Sequence, residues 1–521
     1  MTTDKNNFLY NGCSPRSSGA PRGEMKDVVF TRCSRCFLID TQAIRSKILD
    51  LAIQGLLTEH LSEEGTGEEL IDRIIACKKG KHHGGKKQLP MPSTPPFDLP
   101  VGWAWAQLAT LGADVPNAFA DGPFGSNLKR EHYTTERQVR IIQLSNVGVD
   151  GWRNNNEKYT TYKHLETIKR SEVNAGNIVI AKMMPAGRAI VVPEGIADAF
   201  VLSSDCIKFV PDPTLDVTYL CCAINSTWFH DQVMSDVHGI GRERTSLSNL
   251  KRYFVPIPPV PEQRRIVSII QKAFSSLDTI DSLQAQYADN LTALKSKLID
   301  AAIQGKLTEQ LPEDGTAEDL YRQIQTGKIK KGKPLPLITE DDIPFDIPES
   351  WKWVRLGELG QLKNGFAFKS SEYTKDGIQV VRISDLAEDA IGSKDAVFYP
   401  FKDELASYII VNGSFLICMT GSIGKMAWVK DGVLRYLNQR VGMFIPSAQC
   451  MPEYLWHFLH ATYVINGWIW AKRSTNGNIR NSDITGLATP LPPLTEQKRI
   501  VARLEELLPL CEQCSWNEKS Q

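Results

Sequence analysis

Apolar side chains recur at alternating steps of four and three through residues 261–305. Ile266, Ile270, Leu277, Ile280, Tyr287, Leu291, Leu294 and Leu298 carry the pattern, and Ala273, Gln284 and Ala301 fill its missing members. A period of 3.5 is the seam of a coiled-coil helix. Pro258, Pro259 and Pro261 stop what precedes it, and no proline follows before Pro312. The pattern therefore predicts one helix, about 65 Å long at 1.5 Å per residue. Lys, Arg, Asp and Gln fill its other faces, unlike a short helix sunk in a compact core. A seam of this length calls for a partner helix of similar length. Elsewhere, apolar runs of strand length occur at 139–147, 178–183 and 189–192, and again at 379–386, 413–419 and 425–429, with Gly and Asn as punctuation. Residues 216–235 and 452–471 read as helices rich in aromatic and apolar positions. Each group predicts a globular α+β domain.

The two groups belong to a duplication. Ala52-Ile53-Gln54-Gly55 matches Ala302-Ile303-Gln304-Gly305, Thr58-Glu59 matches Thr308-Glu309, and Gly65-Thr66 matches Gly315-Thr316, at a constant offset of 250 residues. Basic, Gly- and Pro-rich linkers follow at 76–97 and 326–345. Phe97-Asp98-Leu99-Pro100 then pairs with Phe345-Asp346-Ile347-Pro348, Trp103 and Trp105 with Trp351 and Trp353, and Leu108 with Leu356. The copies diverge through 112–250 and 360–484. They converge again at Pro256-Ile257-Pro258-Pro259 and Pro490-Leu491-Pro492-Pro493, and Glu262-Gln263 and Arg265-Ile266-Val267 match Glu496-Gln497 and Arg499-Ile500-Val501. A module with a shared frame and a dissimilar centre is present twice. The first half of the long helix is echoed at 495–514 and the second half at 41–55. The expectation is a circular, pseudo-twofold arrangement whose two tails form the partner helix, broken in the middle and antiparallel to 262–305. The division is 1–40, an extension expected to be partly disordered; 41–75, helical; 76–97, linker; 98–260, first globular domain; 261–325, central helical region; 326–345, linker; 346–494, second globular domain; 495–521, closing helix.

Composition narrows the classes. The chain has 521 residues and zero formal net charge, so it is no bulk phosphate binder, and any nucleic-acid surface is a local patch. It has no run of eighteen apolar residues, which argues against a spanning helix, and its first forty residues lack the apolar core of a signal peptide. Eleven scattered cysteines suggest free thiols in a reducing, cytoplasmic setting.

Two variable domains between shared segments, each ending in a Pro-x-Pro-Pro run and a Glu-Gln-x-x-Arg-Ile-Val helix, with an Ala-Ile-Gln-Gly-Lys-Leu-Thr segment after the long helix, resemble the DNA-specificity subunit of type I restriction–modification systems. The resemblance covers about 41–515 and leaves 1–40 without a counterpart. It implies that 98–260 and 346–494 are target-recognition domains, each reading one half of a split sequence in double-stranded DNA. It implies that the paired helices set the gap between the halves and dock two modification (methyltransferase) subunits through the seam. It also implies that restriction–translocation subunits join the assembly. S-adenosylmethionine, ATP and Mg are then used by partner chains; this chain binds no cofactor and is no enzyme by itself, and no membrane is involved.

Base reading needs paired donors and acceptors, with cations for phosphates. Between 112 and 254 there are sixteen Lys plus Arg and sixteen Asp plus Glu, so folding must cluster the cations. Three loops per copy combine Gly, a cation and a small polar residue. In the first copy they are 124–130 (Ser126, Asn127, Lys129, Arg130), 182–188 (Lys182, Gly187, Arg188) and 241–246 (Arg242, Arg244). In the second they are 364–371 (Lys369, Ser370), 420–425 (Lys425) and 472–480 (Lys472, Arg473, Asn476, Asn478, Arg480). Each taken alone also reads as a plain surface turn; their recurrence at matching places argues for more. Phe366 and Phe368 either flank DNA or anchor their own core. The linker lysines, such as Lys78 and Lys330, read as a solvated connector or as a phosphate-tracking strap. Cys33-x-x-Cys36 and Cys511-x-x-Cys514 fall at the break of the split helix, where they are either seam residues or a zinc clasp. No phosphate loop, no methyltransferase Pro-Pro-aromatic tetrapeptide and no Asp…Asp/Glu-x-Lys nuclease core is legible. Two other classes remain: a helical scaffold whose globular domains bind proteins rather than DNA, and an enzyme with an unrecognised site.

Overall fold

A computed structural model describes residues 31–32, 37–78, 97–236, 244–326, 334–387, 390–392, 394–422, 424–474 and 477–512. The chain divides into two compact units, with Phe37–Leu283 in the first and Gln284 onward in the second. The long helix, Val260–Ile303, starts in one and ends in the other. Pro261 stands in its first turn, where a missing N–H costs no helical bond. At its far end Gly305 turns to φ +71°, and the Lys306 N–H reaches back to the Ala301 carbonyl at 2.9 Å. Helix Thr41–Ile53 ends the same way at Gly55, φ +70°. A Cβ on Gly55 would lie 2.2 Å from the Pro100 ring and one on Gly305 2.4 Å from that of Pro348, so these positions need glycine for both conformation and space.

Both units share a sheet topology although their sequences diverge. In the first, an antiparallel sheet runs in the order Ala189–Val191, Ile178–Ala181, Cys206–Phe209, Phe119–Asp121. In the second the order is Met426–Trp428, Phe415–Cys418, Val441–Pro446, Gly360–Asn364. A second sheet in each contains one parallel pair, Val139–Ile142 with Phe200–Leu202 and Ile378–Val381 with Arg435–Leu437. A two-stranded ribbon closes each frame, Ala104–Gln107 with Phe254–Ile257 and Lys352–Arg355 with Ala488–Leu491. The expected α+β class holds for both. Each aromatic-rich helix is in fact two. Ser226 interrupts the first, accepting the Phe229 N–H at 3.3 Å, to give Val217–Ile224 and Thr227–Ser235. The second splits into Pro452–Leu459 and Thr462–Ser474. The run 139–147 stops as a strand at Ile142, because the Asn146 side chain accepts the Gln143 N–H at 2.9 Å and turns the chain.

The duplicated Glu-Gln pair joins frame to domain by matching bonds. Glu262 and Gln263 are fully buried, as are Glu496 and Gln497. Gln263 donates to the Pro258 carbonyl at 2.8 Å and accepts from the Asp216 N–H at 2.9 Å. Gln497 donates to the Pro492 carbonyl at 2.9 Å and accepts from the Met451 N–H at 3.1 Å. Thr58 donates to Glu262 at 2.9 Å and Thr308 to Glu496 at 3.1 Å. Arg265 pairs with Glu64, and Arg499 with Asp314 at 2.5 Å. One difference stands out. The Trp351 indole N–H donates to Glu496 at 2.8 Å, whereas the buried Trp103 N–H has no acceptor among the described residues, and His60 lies 3.3 Å from Glu262 instead.

The expected continuous seam is a correction. Ile266, Ile270 and Leu277 are buried. Ile280, Leu291 and Leu298 are half-buried, and Tyr287 and Leu294 are 45% and 46% exposed. At the far end Ile299, Ala302 and Ile303 form the buried stripe, one position off the expected series. A straight helix turns about 20° per heptad away from a 3.5-residue repeat, so a stripe buried at one end cannot stay on one face to the other. Helix Thr41–Ile53 covers the first part and runs antiparallel to it. Arg45, near its start, pairs with Asp278 at 2.8 Å and Asp281 at 2.9 Å, while Thr58, beyond its end, meets Glu262. Helix Leu494–Glu512 shares an apolar core with Ile299, Ala302 and Ile303 through Ile500, Val501 and Leu504.

Replacing Gln497 with Ala strands a buried N–H and a buried carbonyl, and should cost the second unit about 2–4 kcal/mol, read as a lowered urea midpoint. Arg355 holds the segment before its strand by donating to the Pro336 and Leu337 carbonyls and to Asp342 at 2.6 Å. Its guanidinium, together with the Thr339 N–H, pulls the Asp342 carboxyl down to about 2. A lowered carboxyl pKa stabilises above the ordinary value, near 3.9, and that contribution is lost as the pH falls through the folded value. The urea midpoints of wild type and Asp342→Asn should therefore differ at neutral pH and converge between about pH 4 and pH 2.

Candidate functional site

In each unit the first two loops singled out in the sequence follow strands of the four-stranded sheet at one of its ends. The 182–188 loop is a hairpin closed by the Ala181 N–H on the Arg188 carbonyl at 2.7 Å. Its equivalent in the second unit is closed by the Cys418 N–H on the Lys425 carbonyl at 3.0 Å. Gly187 and Gly424 precede the two cations, and both have φ +89°. Arg188 and Lys425 therefore open the same strand in the two units. The third loop joins the second through backbone pairing. Met183 bridges Arg244, and the Thr245 N–H donates to the Lys182 carbonyl at 3.0 Å. Thr420 bridges Asn478, and the Ile479 N–H donates to the Met419 carbonyl at 2.8 Å.

The first loops behave differently. In 124–130 the Ser126 hydroxyl donates to Asn127 Oδ1 at 3.2 Å, His164 Nε2 donates to the Asn127 carbonyl at 2.9 Å, and the Lys129 N–H donates to His132 Nδ1 at 3.1 Å. The His132 and His164 rings stack at 4.0 Å beneath this loop. Phe124 at its start is 83% exposed. In the second unit Phe366 and Phe368 pack on Tyr408, Tyr399 and Tyr436 and so anchor the domain's own core. Lys369 pairs with Glu372 at 3.9 Å, and Ser370 opens a short helical turn beside it.

The cations differ in setting. Lys129, Arg130, Arg244, Lys369, Lys425 and Arg480 are exposed, as are Ser126, Asn127, Ser370 and Asn478. Lys182 is half-buried, and its ammonium meets Asp121 at 2.7 Å. Burial lowers the Arg188 pKa, the Arg153 charge lowers it further, and Asp150 opposes both. Arg188 stays charged throughout. Arg153, which lies outside the three loops, pairs with Asp150 at 3.1 Å. Arg242, Asn476, Cys33, Cys36, Cys514, most linker lysines and the side chains of Lys472 and Arg473 lie outside the described residues. Lys78 is described and donates to the Thr110 carbonyl. Cys511 is buried on its helix, its thiol toward the Leu507 carbonyl at 3.8 Å.

Sequence reasoning missed a fourth segment in each cluster. The turn Ser203-Ser204-Asp205 joins Phe200–Leu202 to Cys206–Phe209, and Asn438-Gln439-Arg440 joins Arg435–Leu437 to Val441–Pro446. A run of polar residues between two mostly apolar strands was the available signal. Each turn touches the second loop, through the Lys182 N–H on the Asp205 carbonyl at 2.8 Å and the Met419 N–H on the Arg440 carbonyl at 3.1 Å. The arrangement presents guanidinium, ammonium, amide and hydroxyl groups from strand ends that backbone bonds hold in place. Such a surface suits hydrogen bonding to a polyanion with patterned edges.

The family described as type I restriction modification DNA specificity domain matches residues 136–286 and 348–513, more than half of the chain. The chain is 26% identical to the type I restriction enzyme EcoAI specificity subunit of Escherichia coli, over 91% of this chain and 90% of that one. It is also 26% identical to the EcoEI specificity subunit of Escherichia coli, over 62% of each. A solved chain from a study of complex assembly and conformational transition of the type I R-M system superimposes with a TM-score of 0.53 at 17% identity, covering 81% of this chain and 93% of that chain. That likeness supports the fold.

The two hairpin glycines should tolerate Ala unequally. Both would carry the strain of positive φ, of order 1–3 kcal/mol. A Cβ on Gly187 would also lie 3.0 Å from Val233, against 3.6 Å to Ile465 for Gly424. Chemical denaturation should therefore show Gly187→Ala as the more damaging change.

Proposed function

The chain belongs to the type I restriction–modification DNA-specificity family, and we propose on that footing that it is the recognition subunit of such a system. Each unit reads one half of a split duplex target, and the long helix acts as the ruler between the halves. The observation that carries this reading is the pairing of one sheet topology with two differently furnished loop clusters. The scaffold is kept while the groups offered to a ligand change, as expected of two heads reading different sequences. Arg188 and Lys425, at the same strand start in both units, serve as phosphate contacts that set register. The amide, hydroxyl and remaining guanidinium groups of the loops are the candidates for base edges.

Two modification subunits are the proposed partners at the long helix. In support, the helix exposes a large apolar side chain in each unit, Leu283 in the first and Leu294 in the second. Restriction–translocation subunits complete the proposed complex. Methylation from S-adenosylmethionine, and ATP- and Mg-dependent translocation and cleavage, then belong to those chains, and this one selects where they act.

Duplex binding by the full chain with its modification subunits should weaken steeply as salt rises, because phosphate contacts release counterions. Arg188→Ala and Lys425→Ala should each lower affinity evenly across sequences and reduce the slope of log affinity against log salt by about one, measured by fluorescence anisotropy. Salt-independent binding, or none to duplex DNA, would contradict the reading.

A further inference from the structure

The turn between the two central strands is built alike in both units but carries opposite chemistry. In the second unit the Asn438 N–H donates to the Val381 carbonyl at 3.3 Å, the Gln439 N–H to the Phe366 carbonyl at 2.9 Å, and the Val441 N–H to the Asn438 carbonyl at 2.9 Å. The Arg440 N–H donates to Asn438 Oδ1 at 3.2 Å. In the first unit the Ser203 N–H donates to the Ile142 carbonyl at 2.8 Å and the Cys206 N–H to the Ser203 carbonyl at 3.3 Å. A glycine lies against each turn. A Cβ on Gly365 would come within 2.2 Å of the Asn438 carbonyl oxygen, and one on Gly122 within 1.7 Å of that of Ser203. Gly122, just before the first loop of its cluster, and Gly365, within that of the other, thus lie hard against the turn, and the second loop is bonded to it. The turn is held by backbone bonds at the centre of the cluster, and rigid elements aim side chains better than long loops do.

The side chains are Asn, Gln and Arg in one unit and Ser, Ser and Asp in the other, with Gln439, Arg440 and Ser204 exposed. Arg matches the two acceptors of guanine and Gln the acceptor–donor pair of adenine, whereas Asp can only accept, as from the cytosine amino group. From this we infer that residues 438–440 and 203–205 are the specificity-determining turns of the two units. Gln439 and Arg440 read purines in one half-site, and Asp205, with Ser204, reads a base that offers a donor in the other. The inference rests on the recognition reading above and deepens it to particular residues.

The test is selection of a randomised duplex library by the full chain purified with its modification subunits, followed by sequencing of the bound fraction. Wild type should enrich one split sequence. Arg440→Lys keeps the charge but loses the two-pronged guanidinium. It should hold affinity for unselected DNA while discrimination at one base pair of one half falls about ten- to a hundredfold. Gln439→Ala should relax a neighbouring position of the same half, and Asp205→Asn should change the other half alone. An unchanged preferred sequence in all three variants, or a uniform loss of affinity at every position, overturns the inference. Failure of wild type to enrich any sequence removes the recognition reading instead, so the two failures are distinguishable. Thermal melts of the variants close to that of wild type establish that the effects are not those of unfolding.

Discussion

A carboxylate and a carboxamide, side by side and fully enclosed, hold each half of this protein to its frame. Glu262-Gln263 and Glu496-Gln497 open the helices that leave the two domains, and each glutamine ties a proline carbonyl to the backbone just ahead of a domain helix. Buried polar groups are costly unless every lone pair and proton is used. An arrangement in which both residues are satisfied therefore fixes the angle at which the helix departs. The repeated prolines before the pair supply the accepting carbonyls, which explains why proline run and Glu-Gln pair recur together.

With the exit angle fixed, the centres are free to drift in sequence. Both keep four strands in the same order and one parallel pair in the second sheet. The apolar strands are buried almost without exception, so selection on packing is met by many combinations of Ile, Val, Leu and Phe. What differs is the polar dressing at the strand ends, where substitutions cost the fold little. On the proposed reading, function is thus placed where stability is least sensitive to it.

Much of this was legible in the sequence because it depends on local order. The duplication shows as a constant spacing, the long helix as a period, and the loops at 182–188 and 420–425 as Gly beside a cation. What was not legible depends on partners distant in the chain. The seam of the long helix reads as one stripe, yet Tyr287 and Leu294 are exposed and Ile299 is buried, because the covering elements meet it at its ends. The turns at 203–205 and 438–440 carry no glycine and no motif, and only the folded sheet reveals that the predicted loops gather around them. Phe366 and Phe368 could be assigned only once their aromatic neighbours were known.

The Trp103 indole and its counterpart Trp351 give the two halves unequal footing. One N–H is taken by Glu496 and the other is shut away without an acceptor among the described residues. An orphaned buried donor forfeits roughly 1–3 kcal/mol, which makes the first frame the weaker of two nominally equal joints. Transient opening should then begin on that side, with amide protons around residues 103–107 exchanging with solvent ahead of those around 351–355. A molecule built by copying itself would in this way acquire a softer and a firmer end.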